Sequence, residues 1–143
     1  MDIFSTFKVS SSALKAHKIR LDTISSNIAN AETTSTPEGG PYKKKSVYFQ
    51  TKPIAFKEHL DANLENAVQG VEVTKILEDE DPPRQIYNPS HPDANDEGYV
   101  EMPNVSVLKE MVDIMSATRS YQANVTVVKS AKRMALKALE IGR

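Results

Sequence analysis

The sequence contains no cysteine among its 143 residues, which excludes both a disulfide framework and a thiolate site. Long apolar runs are also missing. No stretch approaches the roughly 18 consecutive apolar residues that a membrane-spanning helix needs, so direct membrane insertion is not expected. The first eight residues, MDIFSTFK, include an acidic residue and no continuous apolar core. We therefore expect no cleaved secretory signal.

Motifs for catalysis and cofactor binding are absent from the sequence as well. It has no glycine-rich phosphate loop, no HExxH zinc motif and no recognisable serine, histidine and acid arrangement. The histidines His17, His59 and His91 stand far apart, and none has a ligand-type neighbour at helical spacing. The segment DANDEG (93–98) has the opening spacing of a calcium loop, but its twelfth position is Asn104 instead of glutamate, which favours a solvated turn. We expect no enzyme activity, no metal site and no cofactor.

The net charge of −1 conceals an uneven distribution of charge along the chain. Residues 1–52 carry +4, residues 53–104 carry −9 and residues 105–143 carry +4. This pattern suits packing against copies or relatives through complementary potentials, whereas a nucleic-acid binder would show a net basic face. The basic run Lys43–Lys45 is better interpreted as a solvated loop or an ionic contact, so no nucleic-acid partner is expected.

A long amphipathic helix is predicted from Val105 to Ile141, ending at Gly142 as a C-cap. Apolar residues recur every seven positions in two rows, which is typical of a coiled coil. At ~1.5 Å per residue the helix would be roughly 55 Å long, too long to be buried by a small domain of its own. The two rows are Val107, Ile114, Tyr121, Val128 and Ala135, and Met111, Thr118, Val125, Lys132 and Leu139. A further apolar row beside them indicates neighbours in an assembly: Leu108, Val112, Met115, Val127, Met134 and Ile141.

A matching heptad pattern occupies residues 2–31, with Asp2 as its N-cap. Serine, threonine and asparagine fill much of this segment, and their side chains compete for the backbone hydrogen bonds of a helix. We therefore expect a helix that forms only when its apolar stripe is covered. Its rows are Phe7, Leu14, Leu21 and Ile28, and Ile3, Ser10, His17, Ile24 and Ala31.

Between the helices the composition changes to turn residues over 32–41 and then to short candidate strands. We predict a mainly α fold with a small β-rich insert, in which the N- and C-terminal helices pair as an antiparallel coiled coil. The predicted regions are the N-terminal helix (1–32), the insert (33–104) and the C-terminal helix (105–143). Within the insert we predict strands at Ser46–Thr51, Gly70–Leu77, Arg84–Tyr87 and Tyr99–Met102, and a short helix at His59–Val68.

The segment LDTISSNIANAETT (21–34) resembles the N-terminal signature of flagellar basal-body rod proteins, an axial family that also includes hook and hook-associated proteins. In the insert, NPSHPDAN (88–95), GYV (98–100) and PNV (103–105) resemble the proximal-rod member of that family. So do EMV (110–112) and ATRSYQANV (117–125) in the long helix. The motif residues are Ser26, Asn27, Ile28, Ala29, Asn30, Glu110, Met111, Arg119, Tyr121, Ala123 and Asn124.

The resemblance implies a structural subunit of the flagellar rod, the drive shaft that crosses the periplasm between rotor and hook. It implies an inner coiled coil, an outer insert, and copies stacked helically around a narrow export channel. It also implies export by the flagellar type III apparatus without a cleaved signal. The implied partners are copies of the chain, other rod proteins, the adaptor beneath the rod and the membrane ring. We expect the coiled-coil and assembly interface to involve Phe7, Leu14, Leu21, Ile24, Ile28, Met111, Ile114, Tyr121, Val125, Val128 and Leu139.

Two other interpretations of the heptads stay open at this point. The helices could pair as a hairpin core inside a monomer, or the chain could be a cytoplasmic coiled-coil adaptor or chaperone that binds a partner helix. We further expect Asn27 and Asn30 to act as caps or turn-formers at the helix end. Arg119 and Lys132 should find acidic partners, for example on the insert of an adjacent copy.

Overall fold

The computed structural model describes residues 3–53 and 69–141, and confirms a mainly α chain with a small β insert between two long helices. The short helix predicted at His59–Val68 and the C-cap predicted at Gly142 lie outside the described residues. Within the described ranges, no helix is long and apolar enough to cross a membrane. The elements are α1 (Ile3–Ala29), β1 (Lys45–Pro53), β2 (Gln69–Glu78), β3 (Arg84–Tyr87), β4 (Tyr99–Met102) and α2 (Val107–Ile141).

The two helices lie side by side, and their contacts run in opposite directions along the chain. Arg20 of α1 donates a hydrogen bond to Asp113 of α2 (3.3 Å). Further along α1, Asn27 bonds to Glu110, which lies earlier in α2. The helices therefore pack antiparallel, and the later part of α2 runs back along the beginning of α1.

Small residues occupy several of the most buried positions of the two helices. Ser10 and Ala16 on α1, and Ala117 and Ala131 on α2, are all buried. The distance between packed helices depends on the side chains at the contact, and small side chains permit close approach. The helix packing therefore does not depend only on the large apolar residues of the predicted rows.

The insert contains two separate two-stranded antiparallel sheets, β1 with β2 and β3 with β4. β3 and β4 have the predicted bounds, and β1 and β2 are slightly longer than predicted at both ends. In the first sheet Lys45 pairs with Glu78 at one end and Pro53 with Gln69 at the other, with a register shift between Tyr48 and Phe49. A shift of this kind is a β-bulge, which bends the strand locally.

The β1–β2 sheet packs against α1. The backbone N–H of Val71 donates to the Ser12 hydroxyl (3.0 Å), and the ring of Phe49 meets His17 edge-on with centroids 6.1 Å apart. Of the described elements, only α1 packs against α2. The described part of the chain therefore leaves the side of α2 that faces away from α1 uncovered.

Four residues are buried just after α1, in strand β4 and just before α2: Ala31, Val100, Pro103 and Val105. α2 begins directly after Val105 and Ser106, and the Ser106 carbonyl accepts the N–H of Glu110 (3.0 Å), as an N-cap residue does. The insert connects the end of α1 to the start of α2, so it joins the antiparallel helices at one end, which we call the junction end; the opposite end is the free end.

Candidate assembly surface

Apolar side chains are exposed at both ends of the helix pair, and those at the junction end of α2 lie on one face. Leu108, Met111, Val112 and Met115, which we call the junction patch, are all more than half exposed, and Leu108 reaches 76%. Their spacing of three and four residues places them on one side of the helix. Glu110, Ala117 and Ala131 are buried on the other side, against α1. An apolar helix face of this kind is typical of a surface that meets another helix.

Four further exposed apolar side chains lie near the free end: Phe4, Met134, Leu136 and Leu139. All four side chains are more than half exposed, and Leu139 reaches 71%. α2 has 35 residues and α1 has 27, a difference of about 12 Å in helix length. In an antiparallel pair that is joined at the junction end, the last turns of α2 extend beyond the start of α1. The described chain therefore leaves its helix pair uncovered at both ends.

A buried polar cluster holds the junction end together. Asn27 and Glu110 are 1% and 2% exposed. The Asn27 side-chain amide donates to Glu110 Oε2 (3.0 Å), and Lys44 Nζ lies 2.7 Å from Glu110 Oε1. A buried carboxylate is tolerated when it is paired and hydrogen-bonded. Glu110 meets this condition only when α1, α2 and the segment leading into β1 are all in place.

Asn27 uses both ends of its side-chain amide in this cluster. Its Nδ2 also donates to the Lys45 carbonyl (2.9 Å), while its Oδ1 accepts from the Lys45 backbone N–H (2.9 Å) and from the Tyr42 hydroxyl (3.0 Å). An asparagine amide offers two donors and one doubly accepting oxygen, so its hydrogen-bonding capacity is filled. No other side chain of this size presents the same set.

Only Asn30 acts at the helix end as predicted, and the prediction is wrong for Asn27. Asn30 acts locally, since its side chain donates to the Ser26 carbonyl (2.9 Å) and its own carbonyl accepts the Thr33 N–H (3.1 Å). Asn27 instead bonds to residues 18 and 83 positions away. Sequence reasoning missed this cluster, although a signal was present: Asn27 and Glu110 are polar residues within amphipathic helices, next to the predicted apolar rows.

On α2, the row of residues that is buried against α1 differs from the predicted row that begins at Met111. Glu110, Ala117 and Ala131 are separated by multiples of seven, one position before the predicted row of Met111, Thr118, Val125, Lys132 and Leu139. The physical reason is the ion pair of Glu110, which turns that residue inward and Met111 outward. Of the expected interface residues, Ile24 is buried, Met111 and Leu139 are exposed, and the following are partly buried: Phe7, Leu14, Leu21, Ile28, Ile114, Tyr121, Val125 and Val128. Their role in assembly stays a prediction.

Charged groups on the helices divide into paired and exposed ones. Arg20 and Asp113 form an ion pair between the helices (3.3 Å), and their side chains are 33% and 36% exposed. Arg119 and Lys132 are exposed, and neither forms an ion pair with any residue in the described ranges. Burial lowers the pKa of His17, and the positive charge of Arg20 lowers it further. His17 is therefore held in its neutral form against the β1–β2 sheet.

The segment with calcium-like spacing forms a hydrogen-bonded turn. Asn95 Oδ1 accepts the backbone N–H groups of Glu97 (3.1 Å) and Tyr99 (2.8 Å), which is an Asx-type turn. Gly98 has a φ of +81°, and a Cβ at this position would lie 2.9 Å from the Tyr87 ring. Among residues 3–53 and 69–141, no group of three or more histidine or acidic side chains is placed to hold a metal ion.

The family described as "Flagella basal body rod protein" matches residues 7–35, and "Flagellar basal body rod FlgEFG protein C-terminal" matches residues 96–141. Asn27 and Glu110, the two buried members of the polar cluster, each lie in one of these segments.

Full-length relatives extend this similarity across the insert. The flagellar basal-body rod protein FlgC of Bacillus subtilis is 47% identical over 150 aligned residues, covering 100% of both chains. FlgC of Salmonella typhimurium is 42% identical over 143 residues, again covering 100% of both. FlgC of Borreliella burgdorferi is 42% identical, covering 99% of this chain and 98% of the relative. The chain therefore belongs to the FlgC family of flagellar basal-body rod proteins.

Proposed function

We propose that the chain is a structural subunit of the proximal rod of the bacterial flagellar basal body. The observation that carries this proposal is the similarity to FlgC rod proteins over the full length of the chain. The structure adds a physical basis for assembly, because the outer side of α2 is apolar at the junction end and no described element covers it. A subunit of this kind polymerises helically and transmits torque along the rod.

In this proposal the helix pair is the inner layer of the rod and the insert is the outer layer. We expect α1 and α2 to form an antiparallel coiled coil over residues 1–32 and 105–143, with residues 33–104 on the outside. The heptad spacing of Glu110, Ala117 and Ala131 supports this arrangement. The position of the β1–β2 sheet supports it too, since the sheet lies against α1 and leaves α2 available for neighbours.

Further features of the proposal concern partners and location. The chain would contact copies of itself, other rod proteins, the adaptor at the rod base and the membrane ring, within a rod that crosses the periplasm around the export channel. It would reach that site through the flagellar type III apparatus without signal cleavage. The low helix propensity of the serine-rich first half of α1 is consistent with a chain that travels unfolded and folds on assembly.

The alternative of a cytoplasmic adaptor or chaperone has no support in the comparisons, because the relatives described above are rod proteins. We likewise propose no catalytic role. We propose that the large apolar side chains of the expected interface, on both helices, carry the lateral contacts between subunits.

Deletion and rescue in the source bacterium test the proposal. Deleting the gene should abolish swimming and leave basal bodies that lack a rod in electron micrographs, and a plasmid copy should restore both. Isolated basal bodies from the rescued strain should contain the chain as a stoichiometric component, identified by mass spectrometry. An adaptor would be missing from those particles. Motile deletion cells with complete rods would contradict the proposal outright.

A further inference from the structure

Two of the four side chains of the junction patch are exposed methionines. Met111 and Met115 are 52% and 53% exposed, and their spacing of four residues places them on one face of α2. Met102 in strand β4 is a contrast within the same chain, because its side chain is partly buried. The junction patch therefore presents two thioether groups to solvent on one apolar surface.

The start of α2 cannot hide this pair by turning about its axis. Glu110, next to Met111, is 2% exposed, lies 2.7 Å from Lys44 Nζ and accepts the Asn27 amide at 3.0 Å. Rotating the helix to bury Met111 would separate Glu110 from both partners and leave charges unpaired. The buried cluster therefore fixes the outward position of Met111 and, one turn later, of Met115.

An exposed thioether is the target of oxidants that transfer an oxygen atom, such as peroxides. With hydrogen peroxide, a sulfur lone pair attacks one peroxide oxygen, the O–O bond breaks, a sulfoxide forms and water leaves. The sulfur is oxidised by two electrons and the peroxide is reduced by the same two. The reverse step takes two electrons and two protons from a dithiol, which becomes a disulfide, and releases the oxygen as water.

We propose that Met111 and Met115 form a reversible oxidation site, at which a peroxide-class oxidant converts the junction patch from apolar to polar before the subunit enters the rod. The inference rests on the proposed function and deepens it by adding chemical control of the outer side of α2. A sulfoxide oxygen accepts hydrogen bonds from water, and covering it with an apolar neighbour that does not replace those bonds costs free energy. Oxidation leaves Leu108 and Val112 as the apolar members of the patch. Oxidised subunits therefore assemble less readily than reduced ones.

Peptide mapping by mass spectrometry tests the chemistry on the full chain. During a time course in hydrogen peroxide, Met111 and Met115 should each gain one oxygen several times faster than Met102. The circular dichroism spectrum and the urea unfolding midpoint should stay unchanged, because both exposed side chains lie outside the packed surfaces. Equal oxidation rates at Met102, or unfolding on oxidation, would overturn the inference.

The same peroxide treatment of isolated basal bodies shows whether assembly covers the site. Met111 and Met115 should be oxidised more slowly there than in the free chain, because the proposed neighbours exclude the oxidant. Oxidation in basal bodies at the rate of the free chain would overturn the inference, since a sulfoxide at an uncovered site cannot hinder a contact.

Matched variants test the consequence for assembly, measured as the number of rods in electron micrographs after expression is induced in the deletion strain. Leucine is apolar, close to methionine in volume and not oxidised to a sulfoxide. Met111→Leu with Met115→Leu should therefore preserve rod formation at a sublethal peroxide concentration that reduces it with the unchanged chain. Met134→Leu, changed at an exposed methionine outside the patch, should give no such protection.

Glutamine imitates the polarity of a sulfoxide at both positions. Met111→Gln with Met115→Gln should keep the circular dichroism spectrum of the unchanged chain and reduce the number of rods without peroxide. Normal rod numbers in this glutamine variant, or equal peroxide sensitivity of the leucine variant and the unchanged chain, would overturn the inference. The rod proposal fails separately, through motile deletion cells with complete rods.

Discussion

Asn27 of α1 and Glu110 of α2 form a buried hydrogen bond of 3.0 Å between residues that stand 83 positions apart in the sequence. Lys44 supplies the countercharge at 2.7 Å, so the first helix, the last helix and the insert depend on one cluster. If one of these three segments is out of place, the charged or amide groups of the other two lack a partner. We therefore regard this cluster as the feature that sets the register of the helix pair.

Removing the carboxylate from this cluster should be far more costly than removing an exposed one. Glu110→Ala leaves the largely buried Lys44 without its countercharge and the Asn27 amide without one of its two acceptors, and should lower the free energy of unfolding by about 3–5 kcal/mol. Asp113→Ala is the matched control, because Asp113 also pairs across the helices but its side chain is 36% exposed. Its loss should cost about 0–1 kcal/mol. Urea unfolding followed by circular dichroism measures both, and equal losses would contradict the importance of the buried pair.

The unfolding free energy should also depend on pH through His17. Its pKa is lowered in the folded chain, from an ordinary value of 6.5, by burial and by Arg20. The unfolded state therefore binds a proton more readily, so this contribution to stability is complete above pH 6.5 and is lost as the pH falls toward the lowered folded pKa. Replacing His17 by glutamine should flatten the stability profile in this range.

Replacing Arg20 offers the comparison for this pH effect, because the charge of Arg20 is the smaller of the two causes that lower the pKa of His17. Arg20→Gln should weaken the pH dependence below pH 6.5 without abolishing it, since burial still lowers that pKa. Unfolding midpoints measured across pH 5 to pH 8 decide the matter. A slope that survives in His17→Gln would assign the pH dependence to other groups.

The turn between β3 and β4 should tolerate no side chain at Gly98. Gly98→Ala places a Cβ 2.9 Å from the Tyr87 ring and imposes a left-handed backbone, which alone costs about 1–2 kcal/mol for alanine. Gly39→Ala also imposes a left-handed backbone, since Gly39 has a φ of +91°, but it adds no steric contact, because nothing lies within 4 Å of its Cβ position. We expect Gly98→Ala to lower the unfolding midpoint more than Gly39→Ala. Comparable midpoints in thermal unfolding would show that the Tyr87 contact is harmless.

The parts of this fold that the sequence predicted are those whose pattern lies within a single helix or strand. The heptad spacing predicted both helices, and the alternation of Val71, Val73 and their polar neighbours predicted β2, because these periods follow from the geometry of a single element. Strand pairing did not follow, since nothing local connects Lys45 with Glu78.

The candidate site was harder to predict for the same reason. The α2 row that begins at Glu110 starts with a carboxylate, so the sequence favoured burying the neighbouring row that begins at Met111. Glu110 can be buried because Lys44 and Asn27, both distant in sequence, supply its partners. The exposed row that begins at Leu108 was predictable, because its surplus apolar surface is a property of the helix alone. The neighbour that covers this row depends on the other subunits of the assembly, which the sequence of one chain does not specify.

Mutations inside the helix pair and on its surface should separate folding from assembly. Ile28 and Val125 are partly buried, so Ile28→Ala and Val125→Ala should each lower the free energy of unfolding by about 1–3 kcal/mol, and together they should block rod completion. Leu108→Ala removes a side chain that is 76% exposed and should leave stability nearly unchanged while reducing swimming. Urea unfolding and swarm-plate assays of the same four variants measure the two effects. Normal swimming in the Ile28→Ala, Val125→Ala double variant would show that these side chains do not carry rod assembly, whereas a destabilised Leu108→Ala would show that Leu108 packs within the subunit.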